Sequence, residues 1–224
     1  MDGLFFGRLD WREKGERLRN KTGEMIWMTS DSKSNNNKLL TGVLFNNYSP
    51  PSDFCWDLLC NDEPLMDSSV MHDYNIDAKA QDFINYVRNQ HKYYASNHVL
   101  LTMGMDFQYQ AAHTWYKNLD KLIAYINTNF GESEKLYLMY STPLCYIKSL
   151  NEEGLEWPTK TDDFFPYASD PHAYWTGYFT SRPNSKRFIR EASNYLQFAK
   201  QFTSRILITD TDKVLRIFFN FKMC

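Results

Sequence analysis

The sequence has no long hydrophobic run and no marked excess of either charge. No stretch of about 18 consecutive apolar residues occurs, so no membrane-spanning helix is predicted. The 25 lysine and arginine residues nearly balance the 27 aspartate and glutamate residues, giving a formal net charge of -2 at pH 7. This balance argues against a nucleic-acid or anionic-membrane partner. Residues 1–7 carry no basic segment and only a short apolar one, so they do not form a signal peptide.

Cysteine is scarce, with four in the 224 residues. The spacing of Cys55 and Cys60 is one that a disulfide can close, and it matches no common zinc motif. Two Asn-X-Ser/Thr sequons begin at Asn20 and Asn47, and they are the predicted N-glycosylation sites. A local disulfide together with sequons favours the secretory pathway or the lysosome as the compartment.

Aromatic residues, in contrast, are abundant: 17% of the chain, with 15 Tyr, 16 Phe and 6 Trp. They are dense in residues 162–183. One interpretation is ordinary packing in a core or an interface. The other is a sugar-binding wall, because flat rings pack against the apolar face of a sugar.

Apolar periodicity predicts strands alternating with helices, which favours an α/β layer or barrel. The predicted strands are residues 3–7, 25–28, 38–44, 98–103 and 136–140. The predicted helices are residues 12–20 (a helix or turn), 77–95, 111–127, 144–150 and 186–202. The tail, residues 203–224, is apolar and rich in strand formers. It is interpreted either as a strand pair or as a translated intron or frameshift.

Asp106 is the candidate catalytic residue. It follows the predicted strand 98–103, and the carboxyl ends of strands are where chemistry usually lies in α/β proteins. Its neighbours Met105 and Phe107 are apolar, so the carboxyl is expected to be poorly solvated, which suits a proton donor. The alternative is an ordinary surface acid after a strand.

Seven segments that follow one collinear order carry a specific pattern: residues 2–11, 48–51, 55–60, 102–109, 115–123, 140–143 and 164–183. Together they resemble glycoside hydrolase family 38, the zinc-dependent α-mannosidases, and within it the lysosomal branch. The resemblance implies a retaining enzyme that hydrolyses terminal α-D-mannosyl residues of N-glycans. It also implies a lysosomal or secretory location, with a signal peptide encoded upstream.

The resemblance implies a fold and three regions. Residues 1–183 are expected to form the C-terminal part of a seven-stranded α/β barrel, and residues 184–202 the first helix of a helical bundle. Residues 203–224 form an atypical tail that the resemblance does not reach, and a gene-model artefact is one of its two interpretations.

The family pattern gives roles to residues near the predicted strand ends. Asp106 matches the general acid/base. Arg8 matches an arginine that orients the nucleophile, although a salt bridge to Asp2 or Asp10 is an alternative for its side chain. Tyr48 matches a tyrosine that contacts sugar hydroxyls.

Further residues of the pattern lie in the aromatic segment and at the cysteines. Tyr167 and Trp175 match aromatic residues that line the substrate pocket. Asp170 stands one position beyond the sugar-contacting acid of the family pattern and is the candidate for that contact. Cys55 and Cys60 match a local disulfide of the lysosomal members.

The motifs that supply zinc and the nucleophile in this family do not occur in the sequence. They are an His-x-Asp pair, a Gln-x-Asp-Pro-Phe-Gly-His-Ser segment and an His-His-Asp segment. Zinc is therefore expected only in a full-length parent, with ligands outside this chain. Two hypotheses follow: the chain is a fragment of an α-mannosidase, inactive by itself, or it is a truncated non-catalytic relative that at most binds mannosides.

Overall fold

A computed structural model describes residues 3–29, 38–60, 62–177 and 179–205. Four strands make one mixed sheet: β1 (Gly3–Phe6), β2 (Glu24–Met28), β3 (Lys38–Val43) and β4 (Thr159–Lys160). Their spatial order is β1-β3-β2-β4. The β1–β3 and β2–β4 pairs are parallel, whereas β2 and β3 are antiparallel. The predicted strands 3–7, 25–28 and 38–44 are thereby confirmed, and β4 was not predicted.

Six helices lie in the described residues. They are α1 (Trp11–Arg19), α2 (Ile76–His91), α3 (Ala112–Asn129), α4 (Gly131–Glu134), α5 (Pro143–Glu152) and α6 (Pro183–Arg205). All five predicted helices are confirmed with ends shifted by a few residues, and the one-turn α4 was not predicted. Most of the predicted tail, residues 206–224, lies outside the described residues.

Two predicted strands, residues 98–103 and 136–140, are wrong: neither segment forms a strand or a helix. Side-chain amides take the place of a neighbouring strand. Asn127 Oδ1 accepts a hydrogen bond from the Leu138 amide, and Asn127 Nδ2 donates to the Leu138 carbonyl, both at 2.8 Å. Gln90 Nε2 donates to the Leu100 carbonyl at 2.9 Å. Because side chains satisfy these backbone groups, the two segments pack without a ladder.

The main hydrophobic core lies between α2 and α3. Apolar residues recur at helical spacing on each helix, so one face of each is buried. Aromatic side chains from the segment after Pro51 fill the end of this core. Its most buried members are Phe54, Trp56, Leu65, Ile76, Ala80, Phe83, Ile84, Trp115, Leu122 and Ile126.

Helix α1 begins where the Asp10 side chain caps it. The Asp10 carboxylate accepts hydrogen bonds from the Arg12 and Glu13 amides at 3.0 and 3.4 Å. These are two of the first helical N–H groups, which have no partner inside the helix. Helix α5 starts similarly, with Thr142 Oγ1 accepting from the Cys145 amide and Pro143 in the first turn.

We expect Asp10→Ala to lower the free energy of unfolding by about 1 kcal/mol, because two α1 amides lose their acceptor. Urea denaturation followed by circular dichroism measures this change. Glu16→Ala, at an exposed site on the same helix, is the control and should change stability by less than about 0.5 kcal/mol. Equal effects of the two substitutions would contradict the capping role.

The chain divides into two compact units, Met1–Tyr174 and Trp175–Cys224. In the second unit, α6 carries several exposed aromatic side chains, and the rings of Phe198 and Phe202 stack at 5.9 Å. The barrel, the helical bundle and the boundary after residue 183 stay predictions. Among the described residues, no helix combines the length and the apolar character needed to cross a membrane.

Candidate active site

The pair of parallel strands β1 and β3 brings Arg8 and Tyr48 together. Each residue follows the carboxyl end of its strand, and parallel strands end at the same edge of a sheet. Arg8 Nη2 donates a hydrogen bond to the Tyr48 hydroxyl at 3.2 Å, and its guanidinium carbon lies 5.9 Å from the ring centre. The Asp10 side chain instead caps α1, and Asp2 lies outside the described residues.

Hydrogen bonds of the residues around Tyr48 hold its loop in place. Asn46 Nδ2 donates to the Ser49 and Pro50 carbonyls at 3.2 and 2.8 Å. Lys14 Nζ donates to Asn47 Oδ1 at 3.1 Å, and burial lowers the pKa of this lysine. The Tyr48 ring is therefore held at the sheet edge by contacts of its neighbours.

Asp106 lies in an exposed turn between the irregular segment 98–103 and α3. The expectation that Met105 and Phe107 shield the carboxyl is wrong. Their side chains are 50% and 78% exposed, and Phe107 has a left-handed backbone with φ of 61°. The flanking residues thus leave the carboxyl accessible to solvent. The assignment of Asp106 as the acid stays a prediction.

The segment before Asp106 contacts the Tyr48 loop. Thr102 Oγ1 donates to the Ser49 carbonyl at 3.2 Å. This bond places the chain leading to Asp106 beside the loop that presents Tyr48, whose hydroxyl accepts a hydrogen bond from Arg8. Three residues predicted separately from the sequence therefore lie on neighbouring segments.

The turn after Asp106 has a strained backbone. Phe107 and Tyr109 have φ of 61° and 66°, a region that costs a non-glycine residue about 1–3 kcal/mol. Contacts hold the turn in place. The Tyr109 ring stacks on Trp115 at 5.1 Å, and its hydroxyl donates to the Met103 carbonyl at 2.5 Å. Gln110 Nε2 donates to the Phe107 carbonyl at 2.8 Å.

Asp57 was not identified as a site residue from the sequence. Its carboxylate accepts hydrogen bonds from the Leu58, Tyr109 and Ala111 amides at 2.7, 2.5 and 3.2 Å, and from Trp115 Nε1 at 3.0 Å. Burial alone would raise the pKa of Asp57, but these four N–H donors together hold it below its usual value. The sequence signal was its place between Cys55 and Cys60, which was interpreted only as a disulfide loop.

The Cys55–Cys60 disulfide is present, as the sequence resemblance implied. Gln108 Oε1 lies 3.8 and 3.6 Å from the two sulfur atoms. Disulfide sulfurs carry no proton, so these are packing contacts. Gln108 Oε1 also accepts a hydrogen bond from Trp115 Nε1 at 3.3 Å. The disulfide loop therefore packs directly against the turn that follows Asp106.

The aromatic segment forms a small hairpin near α1. Ala168 and Tyr174 form an isolated antiparallel bridge, and the Trp11 amide donates to the Ala168 carbonyl at 3.0 Å. Tyr167, next to this bridge, is half-buried, and Asp170 is exposed in the turn. Trp175 is half-buried and begins the second unit. The hairpin thus places Tyr167 and Asp170 in the same unit as Arg8.

The two predicted glycosylation sites are exposed. Asn20 is the C-cap residue of α1, and Asn47 lies in the turn before Tyr48. Glycosylation of Asn20 and Asn47 stays a prediction.

The described ranges contain no group of three or more His, Cys, Asp or Glu side chains that could hold a metal ion. The described residues by themselves therefore do not fit a zinc ion.

Comparison with known proteins identifies the class as glycoside hydrolase. The sequence matches the N-terminal domain of glycosyl hydrolases family 38 over residues 1–170. The chain belongs to this family.

Among curated relatives, the lysosomal alpha-mannosidases of Cavia porcellus and Homo sapiens are 46% and 45% identical to it over 206 residues. This alignment covers 92% of the chain and 20% of each relative. An alpha-mannosidase of Arabidopsis thaliana is 40% identical over 200 residues, which are 89% of the chain and 19% of that relative. The chain therefore spans about a fifth of the length of these relatives.

Proposed function

We propose that this chain supplies the acid/base part of a retaining α-mannosidase that removes terminal α-D-mannosyl residues from N-glycans in the lysosome or secretory pathway. The observation that supports the proposal is the contact between Arg8 and Tyr48 at the sheet edge, together with the hydrogen bond from Thr102 that ties the segment before Asp106 to the Tyr48 loop. Two of the chain's relatives are lysosomal alpha-mannosidases, which supports the substrate class and the compartment.

In this proposal each residue has a separate task. The Asp106 carboxyl gives its proton to the glycosidic oxygen as the bond to the leaving group breaks, and later accepts a proton from the attacking water. Arg8 holds the Tyr48 hydroxyl at 3.2 Å, so that this hydroxyl can bind a sugar hydroxyl. The Tyr167 ring packs against the apolar face of the sugar, and Asp170 accepts a hydrogen bond from a sugar hydroxyl.

A retaining glycosidase needs a second carboxylate about 5–5.5 Å from the acid as the nucleophile. The family segments that carry the nucleophile and the zinc ligands do not occur in the 224 residues. We propose that both come from sequence outside this chain and that the isolated chain is inactive. The alternative function is that of a non-catalytic, mannoside-binding relative. In that case the isolated chain binds mannosides, and no form of the protein that contains it hydrolyses them.

A chimeric enzyme tests the proposal. This chain replaces the 206-residue segment that it matches in the lysosomal alpha-mannosidase of Cavia porcellus. We expect the chimera to hydrolyse an α-mannoside, and the isolated chain to show no hydrolysis in the same assay. An inactive chimera that is folded, as judged by cooperative thermal unfolding, would contradict the catalytic proposal.

In the chimera, Tyr48→Phe is expected to raise KM about 2- to 10-fold with a smaller change in kcat. The hydroxyl that Arg8 positions would be lost, and one hydrogen bond contributes about 0.5–1.5 kcal/mol. Initial rates over a range of mannoside concentrations measure both constants. Tyr137→Phe removes the hydroxyl of an exposed tyrosine and is the control. If both substitutions change KM equally, Tyr48 does not contact the sugar.

A further inference from the structure

We infer that Asp57 is a positioning residue, whose carboxylate binds the turn after Asp106 and thereby determines where the Asp106 carboxyl stands. The inference rests on the proposed function and adds to it a residue that fixes the position of the candidate acid. Asp57 itself is separated from Asp106 by the turn and has no place among the reacting groups. Its action is on the backbone.

The first argument is the number of donors that converge on one carboxylate. The Tyr109 and Ala111 amides and the Trp115 indole N–H all belong to the turn or to the first turn of α3, and all three donate to Asp57. The Leu58 amide of its own loop is the fourth donor. An ionised carboxylate offers two oxygens and no proton, so it can accept all four bonds. An asparagine amide offers only one oxygen and would turn its NH₂ group toward N–H donors.

The second argument is the backbone that this carboxylate holds. Phe107 and Tyr109 both have left-handed φ values, which persist in a bulky residue only where the surroundings determine them. Asp57 binds the amide of the second of these residues directly. Strain of this kind one and three residues after a candidate acid points to a site whose geometry has been set for function.

The third argument is that Asp57 is itself fixed. It lies inside the loop closed by Cys55 and Cys60, and the Cys55 amide donates to Asp62 Oδ2 at 2.8 Å. The loop also holds α3, because Thr114 Oγ1 donates to the Trp56 carbonyl at 2.6 Å. The disulfide loop thus works as a rigid support that carries Asp57 to the turn.

Amide hydrogen exchange on the 224-residue chain tests the contact. In Asp57→Asn, exchange at the Tyr109 and Ala111 amides should accelerate at least about tenfold, because both lose their acceptor. Asp53→Asn makes the same change of charge at an exposed residue of the same segment, and should leave these amides unchanged. Unchanged exchange in Asp57→Asn would overturn the inference.

Kinetics of the chimera test the consequence for the acid. Asp57→Asn should lower kcat about 10- to 100-fold while KM changes less than about twofold, since a misplaced catalytic group costs turnover. The loss should be larger for a mannoside with a poor leaving group, which needs the proton, than for a dinitrophenyl mannoside, which does not. A merely structural role would reduce both rates in parallel by lowering the amount of folded enzyme, and that result would overturn the inference.

Asp57→Glu keeps a carboxylate and covers the case in which the Asn variant fails to fold. Its kcat should lie between those of the wild type and Asp57→Asn, with the same dependence on the leaving group. If Asp106→Asn shows this dependence and neither Asp57 variant does, the positioning inference fails and the proposed function stands. If Asp106→Asn lacks the dependence, the proposed function fails, and the exchange measurement still decides whether Asp57 holds the turn.

Discussion

Asp106→Asn in the chimeric enzyme is expected to lower kcat for an alkyl α-mannoside by about 10²–10⁴-fold, the usual contribution of a positioned general acid. The amide has nearly the shape of the carboxyl but has no acidic proton to give to the glycosidic oxygen. Because Asp106 is exposed and lies in a turn, the substitution removes no buried contact. We therefore expect the thermal unfolding midpoint to stay the same while turnover falls.

The leaving group separates loss of the acid from general damage. A dinitrophenolate leaves without protonation, so Asp106→Asn should slow bond cleavage in dinitrophenyl mannoside much less than in the alkyl mannoside. Asp73→Asn is the matched control, an exposed aspartate on another surface loop, and should leave both rates unchanged. Wild-type turnover of the alkyl mannoside by Asp106→Asn would remove this residue from the mechanism.

Stability of the chain is expected to fall as the pH rises from about 4.5 to about 7, because of Glu24 on β2. Its side chain is 3% exposed, and Oε2 has no hydrogen-bond partner among the described residues. The Tyr146 hydroxyl donates to Oε1 at 2.5 Å. Burial raises the pKa of Glu24 to about 7 and the charge of Glu153 adds to this, although the Tyr146 hydrogen bond acts in the opposite direction.

The sign follows from proton binding. Between pH 4.5 and 7 the folded chain keeps the proton on Glu24, whereas the unfolded chain has lost it, so the contribution is complete below 4.5 and is lost as the pH rises through 7. The loss amounts to about 3 kcal/mol in the free energy of unfolding. Burial raises the pKa of both Tyr94 and Tyr146 above the ordinary tyrosine value, so these two neighbours of Glu24 keep their protons over this range and do not cancel the loss. Greater stability in acid agrees with the lysosomal location proposed above.

Urea denaturation at pH 4.5, 6 and 7.5 measures this dependence. Glu24→Gln keeps an acceptor for the Tyr146 hydroxyl and removes the titration, so the fall in stability between pH 4.5 and 7.5 should shrink by about 3 kcal/mol. Glu156→Gln, at an exposed position, is the control and should retain the wild-type dependence. The same pH dependence in wild type and Glu24→Gln would show that Glu24 does not titrate in this range.

The sequence by itself determined the local elements with a strong periodic signal. The apolar faces of α2 and α3 recur at helical spacing over four or more turns, which fixes their type without help from the rest of the chain. The short apolar runs of β1, β2 and β3 likewise predicted strands at these positions. The family and the candidate roles of Arg8, Tyr48 and Asp106 came from motifs in order along the chain, and the family is confirmed by the comparison over residues 1–170.

Only the tertiary structure decided which backbone groups find partners. The segments 98–103 and 136–140 have the composition of strands, but Gln90 and Asn127 on the adjacent helices satisfy their backbone groups. No local pattern encodes such a bond between residues ten or more positions apart. The exposure of Asp106 was missed for the same reason, since flanking apolar residues do not reveal a left-handed turn.

The support of the candidate acid is likewise a property of the fold. Three of the four donors to Asp57 lie more than fifty positions further along the chain, in residues 109–115, and the fourth is the neighbouring Leu58 amide. Likewise, Arg8 and Tyr48 meet because β1 and β3 pair in parallel, although the two residues are 40 positions apart. Sequence therefore supplied the chemical groups, and long-range pairing supplied their geometry, because hydrogen bonds depend on distance in space and not along the chain.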